Sequence, residues 1–324
     1  MQNTSSNRLK VVVPGDNPPQ IQESPHLDRL APYADVVLYA NHCTSAEEKL
    51  ERAGDAEIII NSRGMVTWPV EVLHQLPKLR LISTCSIGTD MIDLEAAKER
   101  GITVSNQPGR TAPVVAEHAF GLMFAIAKRA AFFTESMRAG RWPRMDHIYL
   151  RGKTLGIIGT GNIGAEMARL GSAIGMNVIA WTYNPSLERE EQLGVKFVSL
   201  DELLCTADVV SIHAKLTDDS RGLIGKPQFE SMKPNSLLVN VARGPIVDTN
   251  ALVDALHCGH LAGAAIDVFD QEPVPADHPL LGCEQVVLTP HCADMTPEGV
   301  DLLNEGAVDN VIAFLQGRPR NVVT

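Results

Sequence analysis

The chain has 324 residues, more than one hydrophobic core usually serves, so two domains are expected. With 39 acidic against 28 basic residues its net charge is −11, which disfavours nucleic acid, a partner that demands concentrated positive charge. Hydrophobic residues make up 44%, yet the start is polar and no apolar run reaches the roughly 18 residues of a membrane span, so a globular, cytoplasmic protein is expected, with no membrane partner.

Short β-rich apolar runs alternate with amphipathic stretches throughout, the pattern of an α/β fold with parallel sheets. The first series predicts strands over residues 9–13, 36–39, 57–60, 81–83 and 102–104, with helices at 69–75 and 94–100. An apolar segment, 114–130, follows, with Pro113 suited to a first helical turn; the basic and aromatic stretch 141–144 reads as a linker. The second series predicts strands over 155–158, 177–181, 196–198, 209–212, 237–240, 264–268 and 286–288. Ser199 and Glu202 form a capping box before Leu203, and Gly259 closes a helix over 251–257. Residues 295–324 give one more amphipathic helix and a tail with no strand of their own, expected to return to the first lobe. The six cysteines form no Cys-x-x-Cys pair and have no His-x-x-x-His nearby, so neither a metal site nor a disulfide framework is expected.

The most informative local motif is LGIIGTGNIG, residues 155–164. A hydrophobic strand runs into Gly159, Gly161 and Gly164, spaced G-x-G-x-x-G, and a helix follows with Ile163, Met167, Leu170 and Ile174 on one face. The first glycine allows a tight turn, the second lets the backbone approach a pyrophosphate, and the third permits close helix–strand packing. The next strand would end in an acid if it held the ribose of NAD. Here Thr182 takes that place, and the nearest basic residue suited to a 2′-phosphate, Arg189, lies several residues on. NAD is the cofactor expected, with NADP left open.

Beside a nicotinamide dinucleotide, a hydride acceptor needs an acid/base for its proton, a group that tunes that acid/base and, where the acceptor carries a carboxylate, a cation to hold it. Arg243 follows an apolar strand directly, where its guanidinium can fork onto a carboxylate and the adjacent carbonyl oxygen. Glu272 and His291 lie after two later strands, and a carboxylate paired to an imidazole keeps it protonated near neutral pH. Asp267, at the end of its own strand, either contacts the nicotinamide side or caps a turn.

These residues resemble the D-isomer-specific 2-hydroxyacid dehydrogenases, the group of D-lactate, D-glycerate/hydroxypyruvate, formate and phosphoglycerate dehydrogenases. The resemblance runs through STCSIGTD (83–90), residues 106–117 ending Val-Ala-Glu, GKTLGIIGTGNIG (152–164), DVVSIH (208–213), MKP (232–234), NVARG (240–244), GAAIDVF (263–269), Glu272-Pro273 and TPH (289–291). It implies a triad in which Arg243 binds and polarises the substrate, His291 exchanges the proton, and Glu272 raises the pKa of His291. It implies a substrate loop at Ser86, Ile87 and Gly88, with Arg63 where some members reach the substrate. It places the cofactor against Gly159, Gly161, Asn162, Ile163, Gly164, Thr182, His213, Ala214, Lys215, Thr217, Val241, Ala242 and Asp267.

The fold implied is two Rossmann-like lobes with a cleft between them that closes over the cofactor. They are a flavodoxin-like substrate domain (1–111 with 292–324) and a doubly wound dinucleotide-binding domain (112–291) on which a homodimer is built. Several positions depart from the family. The common His-x-Pro-Leu-Thr reads HAKLT (213–217), and Lys215 becomes a candidate for a 2′-phosphate. After His291 the usual small, glycine-containing run reads Cys292, Ala293, Asp294, Met295. The sequence ends at Thr324, so serine-type feedback through a regulatory extension is not expected. A reductase of a short 2-oxo acid such as glyoxylate or hydroxypyruvate is the favoured reading, and a phosphoglycerate-type dehydrogenase the nearest alternative. A corepressor-type NAD(H) sensor is the reading from another class; tight cofactor binding with weak turnover of every 2-oxo acid would mark it.

Overall fold

The structure, a computed structural model, describes residues 8–64 and 66–324. Its contacts separate into two units: one ends at Thr111 and takes back Met295–Thr324, and the other is Ala112–Asp294. Residues 292–294 pack with the second unit because the N–H groups of Cys292 and Ala293 are tied to the buried Asp267 carboxylate.

In the first unit five parallel strands, β1 (Leu9–Val13), β2 (Ala34–Leu38), β3 (Ile58–Asn61), β4 (Leu81–Thr84) and β5 (Thr103–Ser105), lie in the order β2-β1-β3-β4-β5. That is the flavodoxin-like order. The strands are apolar along their length because both faces are covered. Val12, Ile59 and Ile82 join Trp68 and Leu73 on one side, and Val11, Val13, Ile58, Ile60 and Leu81 fill the other. The second cluster is completed by Leu303, Ala307, Val308 and Val311, which share one face of the helix Pro297–Leu315. Thr296 starts that helix by accepting the Gly299 N–H at 3.0 Å.

The second unit holds seven parallel strands: β6 (Thr154–Ile158), β7 (Asn177–Trp181), β8 (Lys196–Phe197), β9 (Val209–Ile212), β10 (Ser236–Asn240), β11 (Leu261–Ile266) and β12 (Val286–Leu288). Their order, β12-β11-β10-β9-β6-β7-β8, reverses between β6 and β9 and makes this a doubly wound sheet. Alternate residues again serve two cores. Ile157, Val209, Val239 and Ala265 face the helix Ala112–Ala127 through Val115, Ala119, Leu122 and Met123, whereas Ile158, Val210, Leu238 and Ala264 face Leu203, Leu252 and Leu256. The register aligns the carboxyl ends: Trp181, Ile158, Ile212, Asn240, Ile266 and Leu288 form one row across the sheet. Thr182, Gly159, His213, Val241, Asp267 and Thr289 are the next residues along, where open α/β sheets bind ligands.

Several local expectations need correction. The apolar segment expected to run to residue 130 stops at Ala127, Arg129 takes a left-handed conformation (φ 52°), and a second helix, Ala130–Arg138, follows without a sequence signal. The strand expected over 264–268 begins earlier, at Leu261, and ends at Ile266. The box at Ser199 is half made: its hydroxyl accepts the Glu202 N–H at 3.1 Å, but the Glu202 carboxylate turns to Lys196 Nζ at 3.5 Å. A full capping box stands instead at Ser45 and Glu48. Among the described residues no helix is long and apolar enough to cross a membrane.

Candidate active site

Three segments just past the sheet row bring the candidate triad together. After β10, Asn240 holds the turn by accepting the Ala242 N–H at 3.0 Å and donating to the Arg243 carbonyl at 3.1 Å. Arg243 is extended, with Nη1 on the Ala242 carbonyl at 2.7 Å. Gly244 follows because a Cβ there would lie 2.0 Å from the Phe269 carbonyl carbon. Only glycine lets the arginine segment press on the backbone that leads to Glu272.

The Glu272 carboxylate accepts the Phe269 N–H at 2.9 Å through Oε1 and the His291 ring through Oε2, 2.7 Å from Nδ1. Glu272 as the partner at Nδ1 leaves Nε2 of His291 for a substrate proton. The hydrogen bond that His291 donates to Glu272 raises the pKa of His291, against burial and the Arg243 charge, and the net shift is upward. Partial burial works to raise the pKa of Glu272, but the bonds from His291 and Phe269, with the Arg243 charge, carry it below the usual range. These couplings make the three groups one electrostatic unit: a cation beside a carboxylate–imidazole pair.

The backbone at His291 is itself unusual. Its φ is +51°, a left-handed conformation that costs on the order of 1 kcal/mol or more for a non-glycine residue. It is held by the His291 N–H, which donates to the Asp267 carbonyl at 2.7 Å, and by the Asp267 carboxylate. One oxygen of that carboxylate accepts the Thr289 hydroxyl at 2.6 Å and the Cys292 N–H at 3.0 Å; the other accepts the Ala293 N–H at 3.2 Å. Of the two roles open for Asp267, the capping of a turn is thus what its hydrogen bonds perform. Burial would raise its pKa, but bonds from His118, Thr289 and Cys292 keep it lowered.

His118 was not singled out in the sequence. It sits on the helix Ala112–Ala127 with Nε2 3.2 Å from Thr289 Oγ1 and 3.4 Å from Asp267 Oδ1. The available signal was a lone imidazole in an apolar helical run, which implies a polar partner somewhere in the packing. His118, Asp267 and Cys292 also bring a nitrogen, an oxygen and a sulfur within 4.8 Å of one another. Both Asp267 oxygens are already taken by N–H and O–H donors, so the group is a hydrogen-bonded staple on the histidine loop.

The glycine turn fits a dinucleotide. Gly159 has φ +91°, and a Cβ on it would lie 2.7 Å from the Ala214 backbone, so the turn and the residues after β9 touch. Gly161 is the N-cap of the helix Asn162–Ala173 and gives it no side-chain cap, leaving the first-turn N–H groups of Asn162, Ile163 and Gly164 open to an anion. A Cβ on Gly161 would meet nothing within 4 Å, the clearance a pyrophosphate needs. Thr182 follows β7 beside this turn, and Val241, Ala242 and His213 follow β10 and β9. His213 bonds Ser211 Oγ through Nε2 at 2.9 Å, its buried Nδ1 has no partner among the described residues, and burial pushes its pKa to about 3, so the ring is neutral. Lys215 and Thr217 are exposed on the following turn.

In the first unit β3 and β4 are neighbours paired at Asn61 and Thr84, so Arg63 and Ser86–Ile87–Gly88 lie just past their ends. The loop carbonyls are occupied: Gln107 N–H donates to Ser86 at 3.0 Å and the Asn106 amide to Ile87 at 2.7 Å. Among the described residues the N–H groups of Ser86, Ile87 and Gly88 donate to nothing, as an anion-binding loop requires. Arg63 is left-handed (φ 50°), and its buried Nε has no partner among the described residues.

Residues 120–293 match the model of the D-isomer specific 2-hydroxyacid dehydrogenase family, NAD binding domain. The chain belongs to this family and is an oxidoreductase of the D-2-hydroxyacid dehydrogenase class. It is 39% identical to a glyoxylate reductase of Aeropyrum pernix, over 92% of each chain. It is 42% identical to a D-3-phosphoglycerate dehydrogenase of Archaeoglobus fulgidus over 86% of this chain, but spans only 53% of that protein. The solved structure of a glyoxylate reductase from Paecilomyes thermophila superposes with a TM-score of 0.89 at 30% identity, covering 98% of both chains.

Proposed function

We propose that the protein reduces a short 2-oxo acid, glyoxylate or hydroxypyruvate, to the corresponding 2-hydroxy acid with a nicotinamide dinucleotide, NAD or NADP. The observation that carries the reading is the 2.7 Å bond between His291 and Glu272 with the Arg243 charge acting on both. The bound dinucleotide supplies the hydride. Arg243 takes the substrate carboxylate and polarises the neighbouring carbonyl by paired N–H donors. His291, kept protonated by Glu272, gives its Nε2 proton to the oxygen of C2 as that oxygen gains charge. In the oxidative direction the neutral ring takes the proton back. Within the first unit, the open N–H groups of Ser86, Ile87 and Gly88 suit an anionic group, and Arg63 an anionic or hydroxyl group. The 42% identity to a phosphoglycerate dehydrogenase supports a second reading, 3-phosphoglycerate as substrate, in which Arg63 meets the phosphate.

The test is turnover of glyoxylate, hydroxypyruvate, pyruvate and 3-phosphoglycerate with each nicotinamide nucleotide, followed by absorbance. A kcat/KM for glyoxylate or hydroxypyruvate at least tenfold above that for 3-phosphoglycerate supports the first reading, and the reverse order supports the second. Two further assignments belong here. A homodimer is supported by apolar surface on the second unit: Trp142 is 76% exposed and Tyr149 67%, near the exposed Met137 and Met145. A dimer mass by light scattering, lost in Trp142→Arg, is the expected result. A cytoplasmic location is consistent with six free cysteines and no disulfide among the described residues.

A further inference from the structure

We propose that the second unit prefers a dinucleotide phosphorylated on the adenosine 2′-hydroxyl, and that Arg189 and Lys215 hold that phosphate. The inference rests on the dinucleotide reading above and selects between its two nucleotides. It begins with the end of β7, where the Trp181 carbonyl accepts the Gly159 N–H at 2.8 Å and puts Thr182 beside the glycine turn. A carboxylate there would grip the ribose hydroxyls and repel a phosphate; Thr182 does neither.

Arg189 lies on the helix Leu187–Leu193, and its side chain folds back to the turn. Its Nη2 bonds the carbonyl of Thr160, and the Thr160 hydroxyl at 3.0 Å, between Gly159 and Gly161. Both acceptors are neutral, and among the described residues Arg189 makes no ion pair. The guanidinium therefore keeps its full charge and its Nη1 and Nε donors for a phosphomonoester, which carries about −1.5 to −2 charge. The second cation comes from the opposite side. The residues after β9 touch the same turn, and the exposed Lys215 that follows Ala214 is unpaired among the described residues. Acids stand near both cations, Glu188, Glu190 and Glu191 on the helix of Arg189 and Asp218 and Asp219 after Lys215, but among the described residues none of them forms an ion pair with either cation. Two unpaired cations, a missing acid and an open glycine turn are the composition of a 2′-phosphate site.

Binding of 2′,5′-ADP and of 5′-ADP to the full chain, measured by isothermal titration calorimetry, tests this without turnover. The expected result is at least tenfold tighter binding of 2′,5′-ADP, a preference that shrinks as salt is raised. In Arg189→Gln the ratio of the two affinities should fall towards one, with Arg189→Lys retaining part of it; melting temperatures taken alongside report folding. Thr182→Asp should invert the preference towards 5′-ADP and tests the same site should the arginine variant unfold. Equal affinities in the unsubstituted protein, tighter binding of 5′-ADP, or a ratio unmoved by Arg189→Gln overturns the proposal while leaving dinucleotide binding intact. Failure of both nucleotides to bind overturns the dinucleotide reading itself.

Discussion

Alanine at the turn glycines separates what the turn does for the fold from what it does for a nucleotide. At Gly161 an added methyl meets nothing within 4 Å, and its φ of −66° suits any residue. Alanine in place of glycine at a helix N-cap costs about 0.5–1 kcal/mol, so the melting temperature should fall by no more than a few degrees. The methyl does fill the space through which a phosphate oxygen reaches the first-turn N–H groups. Losing one charge-assisted hydrogen bond, about 1.5–3 kcal/mol, weakens binding roughly 10- to 150-fold. Gly164→Ala should do the reverse. Its methyl would sit 2.0 Å from the Gly159 carbonyl oxygen, well inside contact, and both partners are backbone. Relief requires deforming the turn, at about 1–3 kcal/mol or more, which lowers the melting temperature by several degrees even without nucleotide. Fluorescence titration with NADH and NADPH, beside thermal melts of the unliganded variants, reads both effects. Nucleotide affinity in Gly161→Ala within twofold of the parent would refute a phosphate-binding role for the turn.

Further outcomes follow from the same geometry. Glu272→Gln removes the charge that raises the His291 pKa, so the alkaline limb of kcat/KM for reduction should move to lower pH; an unmoved limb contradicts the pairing. Arg243→Ala forfeits a forked contact of two charged hydrogen bonds at about 1.5–3 kcal/mol each, so kcat/KM should drop about 10²- to 10⁴-fold, with partial recovery in Arg243→Lys. His118→Phe withdraws a partner of the fully buried Asp267, and steady-state kinetics should show a larger loss in kcat than in KM as the His291 loop loosens. His213 is pushed from 6.5 to about 3 by burial, so the unfolded chain binds the extra proton between those values. Its contribution to stability is present above pH 6.5 and is lost as pH falls towards 3; urea unfolding of His213→Asn should show a shallower acid slope.

Much of this was legible in the sequence where local chemistry and topology agree. The segment 155–164 reads correctly because an apolar strand, three glycines and a helical face each specify the same turn. The strands over 9–13, 177–181, 209–212 and 286–288 are bounded correctly, and the one over 209–212 is buried along its whole length, as its unbroken apolar run requires. The break at Arg129 was hidden because no glycine or proline marks it; the left-handed turn there is a product of packing. His118 was hidden because its partners Asp267 and Thr289 lie far along the chain, Thr289 at 171 residues, and meet it only in the fold. The left-handed backbone of His291 likewise has no signature in Thr-Pro-His, since it depends on the Asp267 carbonyl and carboxylate. Arg189 was identified as the nearest base but could not be aimed. The return of its side chain to Thr160 comes from the helix after β7.

The most direct test of the central assignment is the fate of deuterium from reduced nicotinamide nucleotide dideuterated at C4 in a single turnover with glyoxylate, hydroxypyruvate or pyruvate. Deuterium should appear at C2 of the hydroxy acid, and the chiral products should have the D configuration. In His291→Asn the rate should fall at least about 100-fold while nucleotide affinity is retained. Product without deuterium would contradict hydride transfer to a 2-oxo acid, L products would contradict the D-specific assignment, and a full rate in His291→Asn would contradict His291 as the proton donor.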